Sequence, residues 1–488
     1  MIAKIILIAL AVLLGLLLIA LVRALRIRPT AAQNARSPES DPVRAGDYAR
    51  KLSVMLQQET VSTRDETDFA KYRAFQEALK PLFPLVFAHC EIYHPMDQLI
   101  IRYPAVGTPK GEPILLMSHH DVVPAVSEGW THPPFSGHID EDGVIWGRGA
   151  VDTKCDLMCE LQALEELIAA GWKPEKDVYI TSSCTEEWGG PGAPAIVQWL
   201  KDRGVHLGML MDEGGMVLEA PLAGVHGRYC MVGCLEKGSG SVKLTARGKG
   251  GHASAPAPNG PLVRLGKLMA DIEKHPPFHA EFHPVVREMF RRLSRNADFG
   301  IRFIFGNMWL FEGLLKKILG KLVPIVGAMI RTTCAFTMAG GSSASNVLPR
   351  EAYVVANMRF TLHQDEKASV EALRRRAAKF DVEVEDLRHE IPCPAVDYTA
   401  GPFALLEEIA AEIYPGYDVV PYAMTGGTDA RMFTDVCDHC LRFAPIEITQ
   451  AQYASIHSRN ECIDARALPP GVDYFKRILQ EYCSRTAI

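Results

Sequence analysis

Between Pro113 and Pro124 the chain reads P-I-L-L-M-S-H-H-D-V-V-P. Four consecutive apolar positions, Ile114 to Met117, predict a strand buried on both faces of a parallel sheet, where alternation vanishes because neither face meets water. The run stops at Ser118, His119, His120 and Asp121, so a dry strand delivers imidazole and carboxylate to its carboxyl end. The same design recurs twice. Asp177 to Ser183 reads as another buried strand and leads into Thr185, Glu186 and Glu187, and Leu207 to Met211 leads into Asp212 and Glu213. Helical spacing fills the intervals: Asp156 to Gly171, with Gly171 as a left-handed cap, and Pro194 to Arg203. Upstream, Asp47 to Lys80 has amphipathic helical spacing and Val86 to Tyr103 reads as strand. Alternating strands and helices with acids at successive strand ends predict a doubly wound α/β domain, which binds ligands beyond the carboxyl ends of its strands.

The pattern then changes. Ser239 to Ala246 alternates and runs into the glycine-rich turn G-K-G-G-H-A-S. A helix (Pro261 to Lys274), two strands (Thr332 to Met338, Tyr353 to Thr361), a helix (Lys367 to Phe380) and a strand (Val382 to Leu387) follow. This β-α-β-β-α-β order predicts an inserted ferredoxin-like α+β domain. Within it, Pro284 to Met329 is an additional apolar and basic segment. From Ala400 the α/β pattern resumes through Phe403 to Ile413, the turn G-G-T-D-A-R, His457 and a terminal helix. The organisation expected is a catalytic domain at 47–237 and 393–488 with an insertion at 238–392.

The amino terminus changes the picture more than composition does. Ile5 to Val22 is an unbroken apolar run, preceded by Lys4 and followed by Arg23, Arg26 and Arg28. No small-residue cleavage site follows it, so residues 1–29 read as an uncleaved single-pass membrane anchor and 30–46 as a linker. The arginine excess after the run favours a cytoplasmic catalytic portion. A net charge of −6 over 488 residues argues against a nucleic-acid partner. Twelve cysteines show no disulfide-framework spacing, and the C-x-x-C at Cys437–Cys440 lacks a second pair.

His119 and Asp121, Asp152, Glu186 and Glu187, Asp212, and His457 therefore converge on one rim. Mixed imidazole and carboxylate donors suit zinc, or manganese and cobalt where oxygens dominate. An adjacent glutamate pair repels itself unless cations relieve it. The motifs S-H-H-D-V-V-P, W-G-R-G-A-V-D-T-K, T-E-E-W-G-G, M-D-E-G-G, G-K-G-G-H-A-S, S-N-V-L-P, G-G-T-D-A-R and S-I-H-S-R-N occur in that order. Together they resemble the M20 family of di-zinc metallopeptidases and deacylases, in the branch of carboxypeptidase S and the N-acyl-amino-acid hydrolases. The resemblance covers Asp47 to the carboxyl terminus. It implies two zinc ions per subunit: His119 and Asp212 on one, Glu187 and His457 on the other, and Asp152 bridging. It makes Glu186 the general base and Asp121 the residue that orients His119. His252 would polarise the scissile carbonyl, reaching across a homodimer formed by the inserted lid. Asn346, Arg359, Gly426 and Gly427 would hold the substrate carboxylate. The reaction implied is hydrolysis of an amide bond next to a free carboxylate, in short peptides or N-acyl amino acids. An acetyl or succinyl deacylase is the alternative enzyme, and a catalytically dead binding protein the alternative class.

Overall fold

The computed structural model describes residues 1–66, 69–390 and 392–486. The chain opens with helix α1 (Ile2–Arg26) and builds strands β1 (Glu91–Tyr93), β2 (Leu99–Tyr103), β3 (Ile114–His119), β4 (Val178–Ser183), β5 (Met209–Asp212), β6 (Val217–Glu219) and β7 (Arg228–Glu236). It then forms a second sheet from β8 (Gly238–Arg247), β9 (Thr333–Gly340), β10 (Glu351–Phe360) and β11 (Glu383–Glu390). It returns through β12 (Asp418–Met424), β13 (Cys440–Arg442) and β14 (Glu447–Ile448). The large sheet has the order β1-β2-β4-β3-β5-β13-β7-β6-β14, with β12 beside β7. It is mixed. Parallel pairing joins β4, β3, β5 and β13 in its middle, while β1 and β2 pair antiparallel with their neighbours and β6 pairs antiparallel with β7 and parallel with β14.

The sheet's middle explains the unbroken apolar run. Ile114 and Leu116 enter one core, with Leu157, Leu161 and Leu164 of α2 (Lys154–Ala169). Leu115 and Met117 enter the opposite core, with Ile196 and Leu200. All four are fully buried, because helices cover both faces of the strand. The chain goes from β3 to β4 on one side and from β4 to β5 on the other. The direction of winding thus reverses at β3, and a crevice opens at its carboxyl end.

Two expected elements differ. Val86 to Tyr103 is not one strand: Pro84–His89 is helical, beginning at a proline whose missing N–H is no loss in a first turn, and only β1 and β2 are extended. The helical stretch Asp47 to Lys80 resolves into Pro42–Leu56, capped by Asp41, and Ala70–Leu79.

The second sheet runs β9-β10-β8-β11, antiparallel throughout, with α3 (Pro261–Lys274) and α8 (Glu366–Ala378) packed against it.

Its four strands are thus β9, β10, β8 and β11, and none of them pairs with a strand of the large sheet. Its elements follow one another in the chain as β8, α3, β9, β10, α8 and β11. The apolar segment Pro284 to Met329 behaves otherwise. It folds into α4 (Pro284–Leu293), α5 (Phe299–Phe305), α6 (Met308–Leu322) and α7 (Pro324–Ile330). Its buried residues, among them Val285, Phe290, Leu315 and Ile330, join the core of the large sheet and not that of the second one. The chain consequently crosses between the two bodies four times. The crossings lie together: Glu236 bridges to Cys393 and Ala280 to Arg331. The Lys237 ammonium fastens them by donating to the carbonyls of Ala328 (2.7 Å) and Arg331 (2.8 Å).

Candidate active site

The reversal point at β3 gathers the acids and imidazoles. His119 is the last residue of β3, level with Ser183 at the end of β4. Its Nδ1 faces the Asp121 carbonyl at 2.9 Å, which turns Nε2 outward to Asp152 Oδ1 at 3.0 Å and Glu213 Oε1 at 3.6 Å. His457 follows the short helix Gln450–Ser455 in a left-handed conformation (φ 57°). Its Nε2 lies 2.9 Å from Asp152 Oδ2 and 3.0 Å from Glu187 Oε2. Two triads result, His119–Asp152–Glu213 and Asp152–Glu187–His457, each with one ligating atom per residue within 4.8 Å of the others. Asp152 belongs to both.

Backbone amides set these side chains. Asp121 accepts from the amides of Glu186 and Glu187, both at 3.2 Å, and from Ser62 Oγ at 2.5 Å. Glu187 also accepts from the Val123 amide at 3.1 Å. Glu461 is fully buried and accepts from the amides of Gly149, Val151 and Asp152, with Arg148 at 2.5 Å balancing its charge. It therefore shapes the loop that carries Asp152.

The charge balance is strongly acidic. Burial, seconded by Asp152, lifts the Glu213 carboxyl well above its ordinary range. Burial does the same to Glu186, with Asp429 and Glu187 adding to it against the pull of His119. Burial alone would raise Asp152 too, but its bonds to His119 and His457 hold it low. Those with Asp152 and Glu187 push His457 up to about 10. This donor set fits a pair of divalent cations. Imidazole nitrogens and carboxylates in two triads with one shared carboxylate are the ligands such a pair requires, and its charge relieves the crowding of acids.

The expected ligand Asp212 and its neighbour Glu213 are held differently. Asp212, the last residue of β5, has its carboxylate bound by the amides of Glu213 (2.9 Å) and Ala430 (2.8 Å), so it faces the backbone instead of His119. Glu213 takes the place beside His119. The pairing of two acids in M-D-E-G-G was visible; which of them faces the crevice depends on how the chain turns after the strand. His120 is a structural neighbour. Its ring stacks on Phe75 at 4.9 Å, bonds Ser182 Oγ at 2.8 Å, and is pushed down to about 3 by burial.

Beside the triads lies a cavity of about 350 Å³, walled by Glu186, Glu187, His457, Gly426 and Gly427 on one side. Ser239, Asn357, Arg359 and Arg388 of the second sheet form the other side. Arg359 arrives there because β10 alternates: Ala356, Met358 and Phe360 are buried, while Asn357 and Arg359 face outward. Arg388 closes over the rim and donates to the Gly189 carbonyl at 2.7 Å. Sequence reasoning missed Arg64 and Arg388 in the lining, isolated arginines that carry no spacing signal, and gave no role to Arg431, which ends the turn G-G-T-D-A-R and also lines the cavity. His252 and Asn346 do not line this cavity. His252 pairs in a two-residue ladder with Val347, the Asn346 carbonyl accepts from the Ala253 amide, and both side chains are exposed.

Residues 115–481 match the model of peptidase family M20/M25/M40. The chain is a member of that family. This M20 chain is 31% identical over 481 residues to the N-fatty-acyl-amino acid synthase/hydrolase PM20D1 of Xenopus tropicalis, covering 95% of this chain and 93% of that protein. It is 30% identical to a probable carboxypeptidase S-like protein 2 of Dictyostelium discoideum, covering 89% and 85%. In fold it is similar to the M20 family metallo-carboxypeptidase Sso-CP2 of Sulfolobus solfataricus, with a TM-score of 0.65 at 18% identity over 89% of this chain and 99% of that one. This M20 protein is accordingly a metal-dependent hydrolase of amide bonds, of the metallo-carboxypeptidase and amidohydrolase type.

Proposed function

We propose that the protein releases an amino acid from an N-acyl amino acid or short peptide, and that it requires the free carboxylate of the residue released. The observation that carries the reading is the position of the cavity: Glu187 and His457 of one triad, with Glu186, line it on one side and Arg359 lines it from the second sheet. His119, Asp152 and Glu213 would hold one cation, and Asp152, Glu187 and His457 the other, with zinc the metal that the donors favour and manganese or cobalt as substitutes. When bound, these ions polarise the scissile carbonyl and acidify the attacking water. Glu186, whose Oε2 lies 4.0 Å from His119 Nε2, is left to take the proton from water and deliver it to the leaving amine. Asp121 keeps His119 in the tautomer that presents Nε2. Arg359 offers two parallel N–H groups to the carboxylate, with Gly426 and Gly427 allowing its approach.

The second sheet serves in this reading as a lid and dimerisation surface, from which His252 and Asn346 act on the partner's cleft. Both side chains are exposed, which leaves them open to a partner subunit. The helix α1, 25 residues and roughly 37 Å long, is read as a membrane anchor, and it is long and apolar enough to cross. An N-fatty-acyl substrate, which the Xenopus tropicalis relative's name mentions, suits an enzyme anchored in a bilayer. The test is a panel of dipeptides, N-acetyl, N-succinyl and N-oleoyl amino acids, and their carboxamides, on the purified protein. Turnover of free acids with long acyl chains or peptides supports the proposal. Preference for acetyl or succinyl groups gives the deacylase alternative, and equal turnover of carboxamides overturns carboxylate recognition.

A further inference from the structure

Helix α6 is apolar on the side that faces away from the protein as well as on the side that faces in. Met308, Leu315 and Leu319 are buried in the large core. Trp309, Gly313, Leu314, Lys317 and Gly320 recur on the opposite face and are all exposed, Trp309 at 50% and Leu314 at 55%. Phe299 at the start of α5, Leu322 at the end of α6 and Ile325 in α7 are exposed as well. Single exposed leucines are ordinary, whereas large exposed apolar groups recurring on three consecutive helices mark a contact surface.

What covers it is indicated by α1. The last turns of α1 stand against the α5–α6 junction: Asn307 donates to the Ala20 carbonyl at 2.9 Å, Ala20 and Ala24 are fully buried, and Ile27 approaches Gly306 closely. The rest of α1, from Ile2 to Leu18, is mostly exposed. The junction therefore sits at the level where α1 changes from apolar residues, ending at Val22, to Arg23, Arg26 and Arg28. A bilayer that takes in α1 up to that change brings its headgroup region to Trp309, where tryptophans concentrate at membrane surfaces. Lys317 on the same face gives the surface a positive charge that anionic headgroups attract.

We infer that α5, α6 and α7 form an in-plane docking surface for an anionic phospholipid bilayer, so that the protein is seated on the membrane as well as tethered to it. The inference rests on the reading of α1 as an anchor. The experiment uses the full chain reconstituted into vesicles of phosphatidylcholine and phosphatidylglycerol whose acyl chains are brominated near the headgroup. Flotation reports α1. Quenching of Trp309 reports the docking surface, and Trp309→Phe subtracts the other five tryptophans, which lie at 130, 146, 172, 188 and 199, away from α5–α7. The expected result is that both proteins float and that wild type shows a quenched component which W309F lacks. Leu314→Glu combined with Leu322→Glu should keep flotation and lose that component. Flotation with equal quenching of wild type and W309F overturns the docking surface while leaving the anchor in place; if the protein is then also a dimer in detergent that the double variant converts to a monomer, the face belongs to a second copy. A chain that does not float overturns the anchor and this inference together.

Discussion

Asp212 and Glu213 are consecutive carboxylates with different surroundings, and substitution separates their roles. Glu213→Gln removes a charge that faces His119 Nε2, so one of two bound ions should be lost and activity with it. Asp212→Asn trims a support made to two amides, and should retain two ions at saturating metal with affinity lower by about 10- to 100-fold. Glu186→Gln should keep both ions and lose turnover. Elemental analysis beside kcat distinguishes the three, and loss of an ion from E186Q would show that Glu186 is a ligand. Arg359→Leu should lower kcat/KM for free acids by about 2–4 kcal/mol, on the order of 30- to 1000-fold, and barely change it for carboxamides. Equal losses on both would assign Arg359 to the fold. The strand-end residues were legible because a buried strand that stops in polar groups must present them to the crevice. Which of Asp212 and Glu213 faces His119 was not, because period-two alternation ends where the strand does.

Among the elements, α2 carries an unusual burden. Asp156 and Glu160, one turn apart, are buried under the crevice; Glu160 accepts from Ser118 Oγ at 3.1 Å, and one oxygen of each acid has no hydrogen-bond partner among the described residues. Burial, and then the neighbouring Asp156, raises Glu160 well above its ordinary value of 4.5. The folded chain thus keeps a proton there that the unfolded chain releases near pH 4.5. Stability linked to this site is fully present below that pH and falls as pH rises toward the folded value. Glu160→Gln should accordingly raise Tm at pH 8 and change it little at pH 4, flattening the pH profile of thermal unfolding. An unchanged profile would mean that Glu160 is charged in the fold. The helix itself was legible from its apolar spacing. Its buried acids were not, since spacing reports a helix's apolar positions and not the depth at which the polar ones end. The same limit applies to α4–α7: their apolar character was visible in the sequence, but not which of two cores would receive it.

For the whole molecule, the reading of the second sheet as a dimer contact has a sharp test. Glu186→Gln and His252→Ala subunits are each expected to be inactive alone. If His252 acts across the dimer, an equal mixture refolded or co-expressed should recover about a quarter of wild-type activity, because half of the dimers are mixed and each of those has one intact site. No recovery in a verified mixed dimer would place His252 in its own subunit's cleft.

The neck at Lys237 has a consequence for chain connectivity. Because the backbone passes between the two bodies four times, breaking one passage leaves three covalent tethers. A single proteolytic cut in the exposed stretch 341–346, between β9 and β10, breaks none of these passages and should separate nothing: each fragment still runs through both bodies, and a nicked preparation should migrate as an intact particle until it is denatured.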